Sequence, residues 1–295
     1  MPIQQYLFGL QSFHVDNCRS KGDHNDSDTL GVVVTSNRVA FPPQQVLLGD
    51  NLHAGDKVIE QFVGPFDFDD ASFVTVTYSI LNGVSGSNAD AVLLKIAGVV
   101  LATFAGLEEV EFLGLVASNV ETAILSAVGG VIGGIGEFLG IKPSDPDCHG
   151  PVATRTMLFS SGQLNGTSQS VGPVTETERS PSVCGNDPHS TVIYLAQPVQ
   201  RGWHSCRKCQ GMHFAGFPNF KGVCPAGDQH DGTGSFEYFT MFGTPGREQV
   251  QADWRSCRKC QGLFFGPGSN GICPADHQAH DPSGSFEYVA RFSGS

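Results

Sequence analysis

Basic residues are in short supply. Seventeen Lys and Arg stand against 29 Asp and Glu, a formal charge of −12 at pH 7. The deficit is uneven: from Val199 onward there are 9 basic and 8 acidic residues, which leaves 8 against 21 for residues 1–198. Phosphate backbones are bound through a basic footprint, so this balance argues against nucleic acid as a partner. Long apolar runs are missing too. The longest uncharged stretch of the glycine-rich region, Thr122 to Gly136, has 15 residues, short of the roughly 20 that span a bilayer as a helix. The first residues, Met1-Pro2-Ile3-Gln4-Gln5-Tyr6, lack the basic start and apolar core of a Sec signal, so an extracellular destination would be reached by a non-Sec route, with the cytoplasm as the alternative. No nucleophile elbow, P-loop, dinucleotide fingerprint or His-Glu-x-x-His helix occurs, and the chain is not expected to be an enzyme. A hydrolase assembled from dispersed Asp and His is a minor alternative that lacks any motif.

What is abundant is glycine, at 37, and phenylalanine, at 21. That composition suits short strands and tight turns better than a helical bundle. Of nine cysteines, six sit in a C-terminal repeat. Trp203-His204-Ser205-Cys206-Arg207-Lys208-Cys209-Gln210-Gly211 matches Trp254-Arg255-Ser256-Cys257-Arg258-Lys259-Cys260-Gln261-Gly262; Gly222-Val223-Cys224-Pro225-Ala226 matches Gly271-Ile272-Cys273-Pro274-Ala275; His230-Asp231 and Gly234-Ser235-Phe236-Glu237-Tyr238 recur as His280-Asp281 and Gly284-Ser285-Phe286-Glu287-Tyr288. Duplication at this period marks a tandem module, and the seam falls near Thr244-Pro245-Gly246.

Each copy reads Cys-x2-Cys, a third cysteine after 14 or 12 residues, and a histidine after five or six more. Two turns with this spacing point four soft donors at one centre, which is the arrangement of a structural zinc site. The expected ligands are Cys206, Cys209, Cys224 and His230 for one ion, and Cys257, Cys260, Cys273 and His280 for a second. A disulfide-stapled module is the alternative, but three cysteines per copy would leave a thiol unpaired. His230 and His280 share their distance to Ser235 and Ser285, whereas His204, His213 and His277 occur in one copy each. A module of this size buries too little apolar area to fold unaided, so the metal would supply much of its stability. The accompanying aromatics have two readings. They pack beside the metal, or Trp203, Tyr238, Trp254 and Tyr288 contact a ligand such as a sugar.

The first 198 residues read differently. Tyr6 to Val15, Thr29 to Thr35, Gln45 to Leu48, Lys57 to Val63, Ser72 to Leu81, Ala153 to Ser160 and Thr191 to Ala196 have the composition and alternation of strands. Separated by turn residues, they predict an antiparallel β-sandwich. About 89–141 interrupts this pattern and predicts a glycine-rich helical hairpin. Ser126, Gly130 and Gly134, Gly129 with Gly133, and Gly136 with Gly140 recur every four residues, a spacing that lets helices approach closely. Three readings stand: a hairpin buried on the sandwich, one released to insert into a membrane, and a constitutive anchor. The fold class is therefore mainly β with inserted helices. The domains are 1–198 with the helical insertion, 199–246 as the first zinc module and 247–295 as the second.

Two further sites are read from this region. Asp23, Asn25, Asp26 and Asp28, with Asp50, cluster oxygen donors that can hold Ca²⁺, although the spacing is not that of an EF-hand and a capped turn is the commoner use. Cys148 and Cys184 are plausible disulfide partners, the alternative being two free thiols, and a bond there would favour an oxidising destination. Cys18 has no evident partner.

Arg19, His24 to Asp28, Gly49-Asp50-Asn51, Tyr78 to Asn82, the glycine-rich helices and Cys148 to Ala153 together resemble an uncharacterised bacterial family. The likeness covers about residues 5 to 197 and implies no particular activity. The C-terminal repeats resemble mobile accessory modules appended to assorted proteins of soil bacteria. His213 stands where the second copy has Phe264, a departure from their Leu-Phe-Phe pattern. The reading that follows is a binding or effector protein, in its sharper form a pore-forming or membrane-acting toxin, with zinc modules that recognise a cell-surface component, glycan or protein. The rival is an intracellular interaction adaptor. Oligomerisation is compatible with both.

Overall fold

The computed structural model describes residues 4–19, 26–36, 39–68, 73–83, 86–105, 148–160, 163–178, 180, 184, 187–243, 250–267 and 270–291. The glycine-zipper positions between 126 and 140 lie outside this set. Among the described residues the chain is mainly β, with antiparallel pairings and one helix. It divides into two compact units, Met1–Asn165 with Gln169–Ala196, and Gly166–Ser168 with Gln197–Ser295.

In the first unit the strands are β1 (Gln4–Asn17), β2 (Asp26–Ser36), β3 (Val39–Ala40), β4 (Gln44–Leu52), β5 (Lys57–Phe68) and β6 (Phe73–Asn82), followed by α1 (Gly86–Ala105), β7 (Gly150–Ser160), β8 (Gln169–Thr177) and the start of β9 (His189–Ser205). One sheet holds β5, β1 and β9, with β8 paired to β9; the other runs β3-β2-β6-β7 with β4 also on β2. β2 and β6 pair without a break from Asp28↔Asn82 to Ser36↔Val74. Alternation explains the packing. Leu30, Val32 and Val34 of β2 and Val74, Val76, Tyr78 and Ile80 of β6 meet Tyr6, Phe8, Leu10 and Phe13 of β1 in one buried cluster fed by both sheets.

The opposite face of β2 is covered as well. Along α1, Ala89, Val92, Leu93 and Ile96 form a buried stripe at helical spacing, while Leu94 and Lys95 are exposed. Leu93 sits over Gly31, where an added Cβ would fall 2.5 Å from the leucine's Cδ2. Glycine here is a slot for the helix. Gln45 Nε2 also donates to Asp90 Oδ1 at 3.0 Å. Near one end of the unit a disulfide joins Cys148 to Cys184, 36 residues apart.

The second unit contains both sequence repeats. The first contributes the end of β9, β10 (Met212–Phe214) and β11 (Tyr238–Phe242); the second contributes β12 (Val250–Ser256), β13 (Leu263–Phe265) and β14 (Tyr288–Arg291). Registers repeat faithfully: Trp203 opposes Phe214 and Tyr238, and Trp254 opposes Phe265 and Tyr288. The copies are joined twice. β11 pairs with β14 through Met241↔Val289 and Phe242↔Tyr288. On the other side His213 bridges Gly262, and Phe214 N–H donates to Gln261 O at 2.9 Å. Extended by one residue, each joint sets equivalent positions against each other, Thr240 against Ala290 and Met212 against Leu263. That is the register of an approximate two-fold axis. The six strands thus come round on themselves, burying Trp203, Phe242 and Tyr288 with Met212, Phe214, Trp254 and Leu263 packed around them.

The helix seat yields a test. Leu93→Ala empties the slot over Gly31 and should destabilise the first unit by about 2–5 kcal/mol, read as a lowered denaturant midpoint with an unchanged slope.

Candidate metal centres

Both predicted ligand sets are assembled. The donor atoms of Cys206, Cys209, Cys224 and His230 lie within 4.8 Å of one another, as do those of Cys257, Cys260, Cys273 and His280, and each set could hold a metal ion. Cys206 Sγ is 3.8 Å from Cys224 Sγ, and Cys209 Sγ is 3.6 Å from His230 Nδ1. In the second set the matching distances are 3.7 Å and 3.4 Å. A tetrahedron with sulfur about 2.3 Å and nitrogen about 2.0 Å from its centre has edges of about 3.8 Å and 3.5 Å, so the donor sets fit such an ion.

Local backbone chemistry builds the sites. After Cys-x2-Cys the chain turns back through Gln210 and Gln261, both in the left-handed region at φ 60°. Gln210 N–H donates to Cys206 O, and Cys206 N–H donates to Gly211 O, at 2.8 and 2.9 Å; Cys257, Gln261 and Gly262 repeat both bonds. A second turn positions the third cysteine, with Asp228 and His277 likewise left-handed. The residue after each histidine completes the site. Asp231 N–H donates to Cys206 Sγ at 3.3 Å, and Asp281 N–H to Cys257 Sγ at 3.4 Å. Ser235 Oγ and Ser285 Oγ accept the N–H groups of Ser205 and Ser256. The cations flanking the first cysteines act as clamps: Arg207 pairs with Asp231 at 2.6 Å and Lys259 with Asp276 at 2.7 Å.

These bonds divide the thiols. Burial opposes ionisation of Cys206, but the Asp231 and Cys209 amides and His230 overcome it and pull the thiol down to about 5. Burial, with the thiol hydrogen bonds and negative charge of its neighbours, pushes Cys209 up to about 11. Cys257 and Cys260 split in the same directions. Three sulfurs this close ionise together only around a cation.

Each histidine ligand carries an aromatic lid. His213 stacks on His230 with centroids 4.6 Å apart and planes 9° from parallel; Phe264 stacks on His280 at 4.7 Å and 13°. The exchange of phenylalanine for His213 therefore falls on the ring that stacks on the candidate ligand. Burial, followed by the charges of His230 and His204, lowers His213 to about 4, so it is a neutral ring at pH 7.

Other expected site residues are placed differently. Trp203 and Tyr288 are fully buried and pack edge to face at 5.3 Å, so as core residues they have no face to offer a ligand. Trp254 is half-buried, with Nε1 donating to Gln251 Oε1. Tyr238 keeps a surface position, 39% exposed, beside Phe236 at 79%. Among the described residues the calcium candidates form no donor cluster. Asp23 and Asn25 lie outside the described residues, while Asp26 and Asp28 belong to β2 rather than a loop and are buried. Asp50 lies with Ser27, whose hydroxyl donates to its Oδ1 at 3.2 Å. Alternation along the strand puts Ser27 and its two neighbours on opposite faces. Arg19 N–H donates to Asp26 Oδ2, but neither oxygen of Asp28 has a hydrogen-bond partner among the described residues. Burial, then the charge of Asp26, raises Asp28 well above the usual carboxylate range. Cys18 is a half-buried free thiol. No helix among the described residues is long and apolar enough to cross a membrane.

Comparison with protein-family models, with curated proteins and with solved structures finds no match to the chain.

Two outcomes follow from the geometry. Both tryptophans lie in the second unit, so a strong chelator at neutral pH should red-shift tryptophan emission as Trp203 loses its burial, while the first unit keeps its far-UV β signal. In the first unit Asp28 retains a proton that the unfolded chain gives up. The unfolded state then binds fewer protons, and stability falls as pH rises above the ordinary aspartate value of 3.8. Asp28→Asn should remove most of that slope and raise the neutral-pH melting temperature, by about 2–4 °C per kcal/mol for a unit of this size.

Proposed function

We propose that the chain is a non-enzymatic binding or effector protein whose C-terminal unit is held together by two zinc ions and presents a recognition surface. The observation that carries this reading is the completeness of each donor set. Three sulfurs and one imidazole fill a tetrahedron and leave no position for water or substrate, which is the pattern of structural rather than catalytic zinc. Thiolate with imidazole also suits zinc better than calcium or magnesium, which take oxygen. The roles are simple: the six cysteines and two histidines fix the fold, and the aromatic patch of Phe236, Tyr238 and Phe239, all exposed, is the surface offered to a glycan or protein on a cell.

The first unit is read as an antiparallel sandwich, because one buried cluster draws on both of its sheets. Its disulfide supports an oxidising, extracellular destination. In the membrane-acting version of this function, the apolar stripe of α1 leaves β2 and enters lipid. The adaptor reading is favoured by a different observation, the seating of Leu93 over Gly31, which suits a helix that stays in place.

Metal analysis of the purified chain should find two zinc ions per molecule; one or none would overturn the structural role. Liposomes loaded with a self-quenched dye separate the remaining readings. Leakage that appears on acidification supports membrane action, and intact vesicles at every pH leave recognition without insertion.

A further inference from the structure

The two copies agree closely in sequence but not in surroundings. Gly222 of the first copy is buried against the second: a Cβ there would fall 1.9 Å from Cys260 O and 2.7 Å from Gln261 Cβ. Its equivalent Gly271 is exposed, and a Cβ would meet only the His280 ring, at 3.5 Å. The next position repeats the contrast. Val223 packs on the cluster of Cys257, Cys260, Phe264 and Cys273, whereas Ile272 is 74% exposed. Accordingly Cys260 and Gln261 are buried, while Cys209 is half-buried and Gln210 exposed. The segment between the second and third cysteines is longer in the first copy, 14 residues against 12, and its end lies over the other copy's ligands.

We infer that the two metal sites have different roles and exchange their ions at different rates. This rests on the zinc reading above. The ion held by Cys257, Cys260, Cys273 and His280 is sealed by Gly222 and Val223. That cover ends at Cys224, which is a ligand of the other ion. Ligand exchange at a filled tetrahedral site requires an incoming donor to reach the metal or a sulfur from solvent. Cys209 offers that approach to a sulfur, whereas in the second set all three sulfurs are buried and the half-buried donor is His280, whose ring is stacked under Phe264. An ion at Cys206, Cys209, Cys224 and His230 would therefore exchange first. The ion passes to the incoming donor, and the freed thiolates take protons from water. The first site is the exchangeable one, open to soft metal-binding acceptors, and the second is the fixed one.

The test is release of zinc from the full, two-zinc chain into an excess of a colorimetric chelator. Two phases of equal amplitude are expected, the slow one at least about tenfold slower. Val223→Ser, which touches no ligand, should accelerate the slow phase about tenfold and spare the fast one, and Ile272→Ser should change neither. A single phase for both ions, or a slow phase indifferent to Val223→Ser, overturns the inference. A chain that takes up fewer than two zinc ions fails at the earlier step, the assignment of the sites, and the count of bound metal distinguishes that failure from the kinetic one.

Discussion

Gathering three sulfurs and an imidazole within a few ångströms is the constraint on which the C-terminal unit depends. Its apolar core is a handful of side chains around Trp203, Phe242 and Tyr288, too little to offset the chain entropy of about a hundred residues. An ion held by each donor set would cross-link the chain in place of the missing core. The rest of the unit serves that centre. The left-handed glutamines turn the thiolates inward, the amides of Asp231 and Asp281 donate to sulfur, and an aromatic ring lies flat on each histidine. The acidic unit solves the same problem in the ordinary way, with a cluster fed from two sheets and a helix over the outer face of β2.

The ligands were legible because metal chemistry imposes spacing on sequence. Cys-x2-Cys is a turn, and the constant distance from histidine to serine reflects a working bond, since Ser235 and Ser285 hold the strands that lead into each first cysteine. The seven segments with strand composition likewise lie in β1, β2, β4, β5, β6, β7 and β9, with only Ser72 outside the described residues. Their alternation records one buried face, and that is a local property. β8 went unread because it is a largely exposed strand, polar and broken by Gly172-Pro173.

Other features depend on partners distant in the chain, and composition does not encode those. Asp26 and Asp28 have the look of a loop cluster, yet the pairing of β2 with β4 and β6 draws them into a strand, where Asp50 stands opposite Ser27 between them. Trp203 and Tyr288 look like a stacking platform until the two copies meet and bury them. Gly222-Val223-Cys224 and Gly271-Ile272-Cys273 are nearly the same words, but one lies under the neighbouring copy and the other faces water. The difference comes from the length of the preceding loop and from which copy follows which.

The way the copies are joined carries a further consequence. Each supplies half of a ring of strands, and both seams, β11 with β14 and β10 with β13, set like against like. A half-ring of this kind is complementary to itself along both open edges. Copy number therefore has a parity: an even number can close within one chain, whereas an odd number leaves one half with backbone donors and acceptors unpaired on two sides, obliged to find its mate on another molecule. A tandem pair in a single polypeptide removes that obligation, and the duplication is in this sense what makes the unit self-contained.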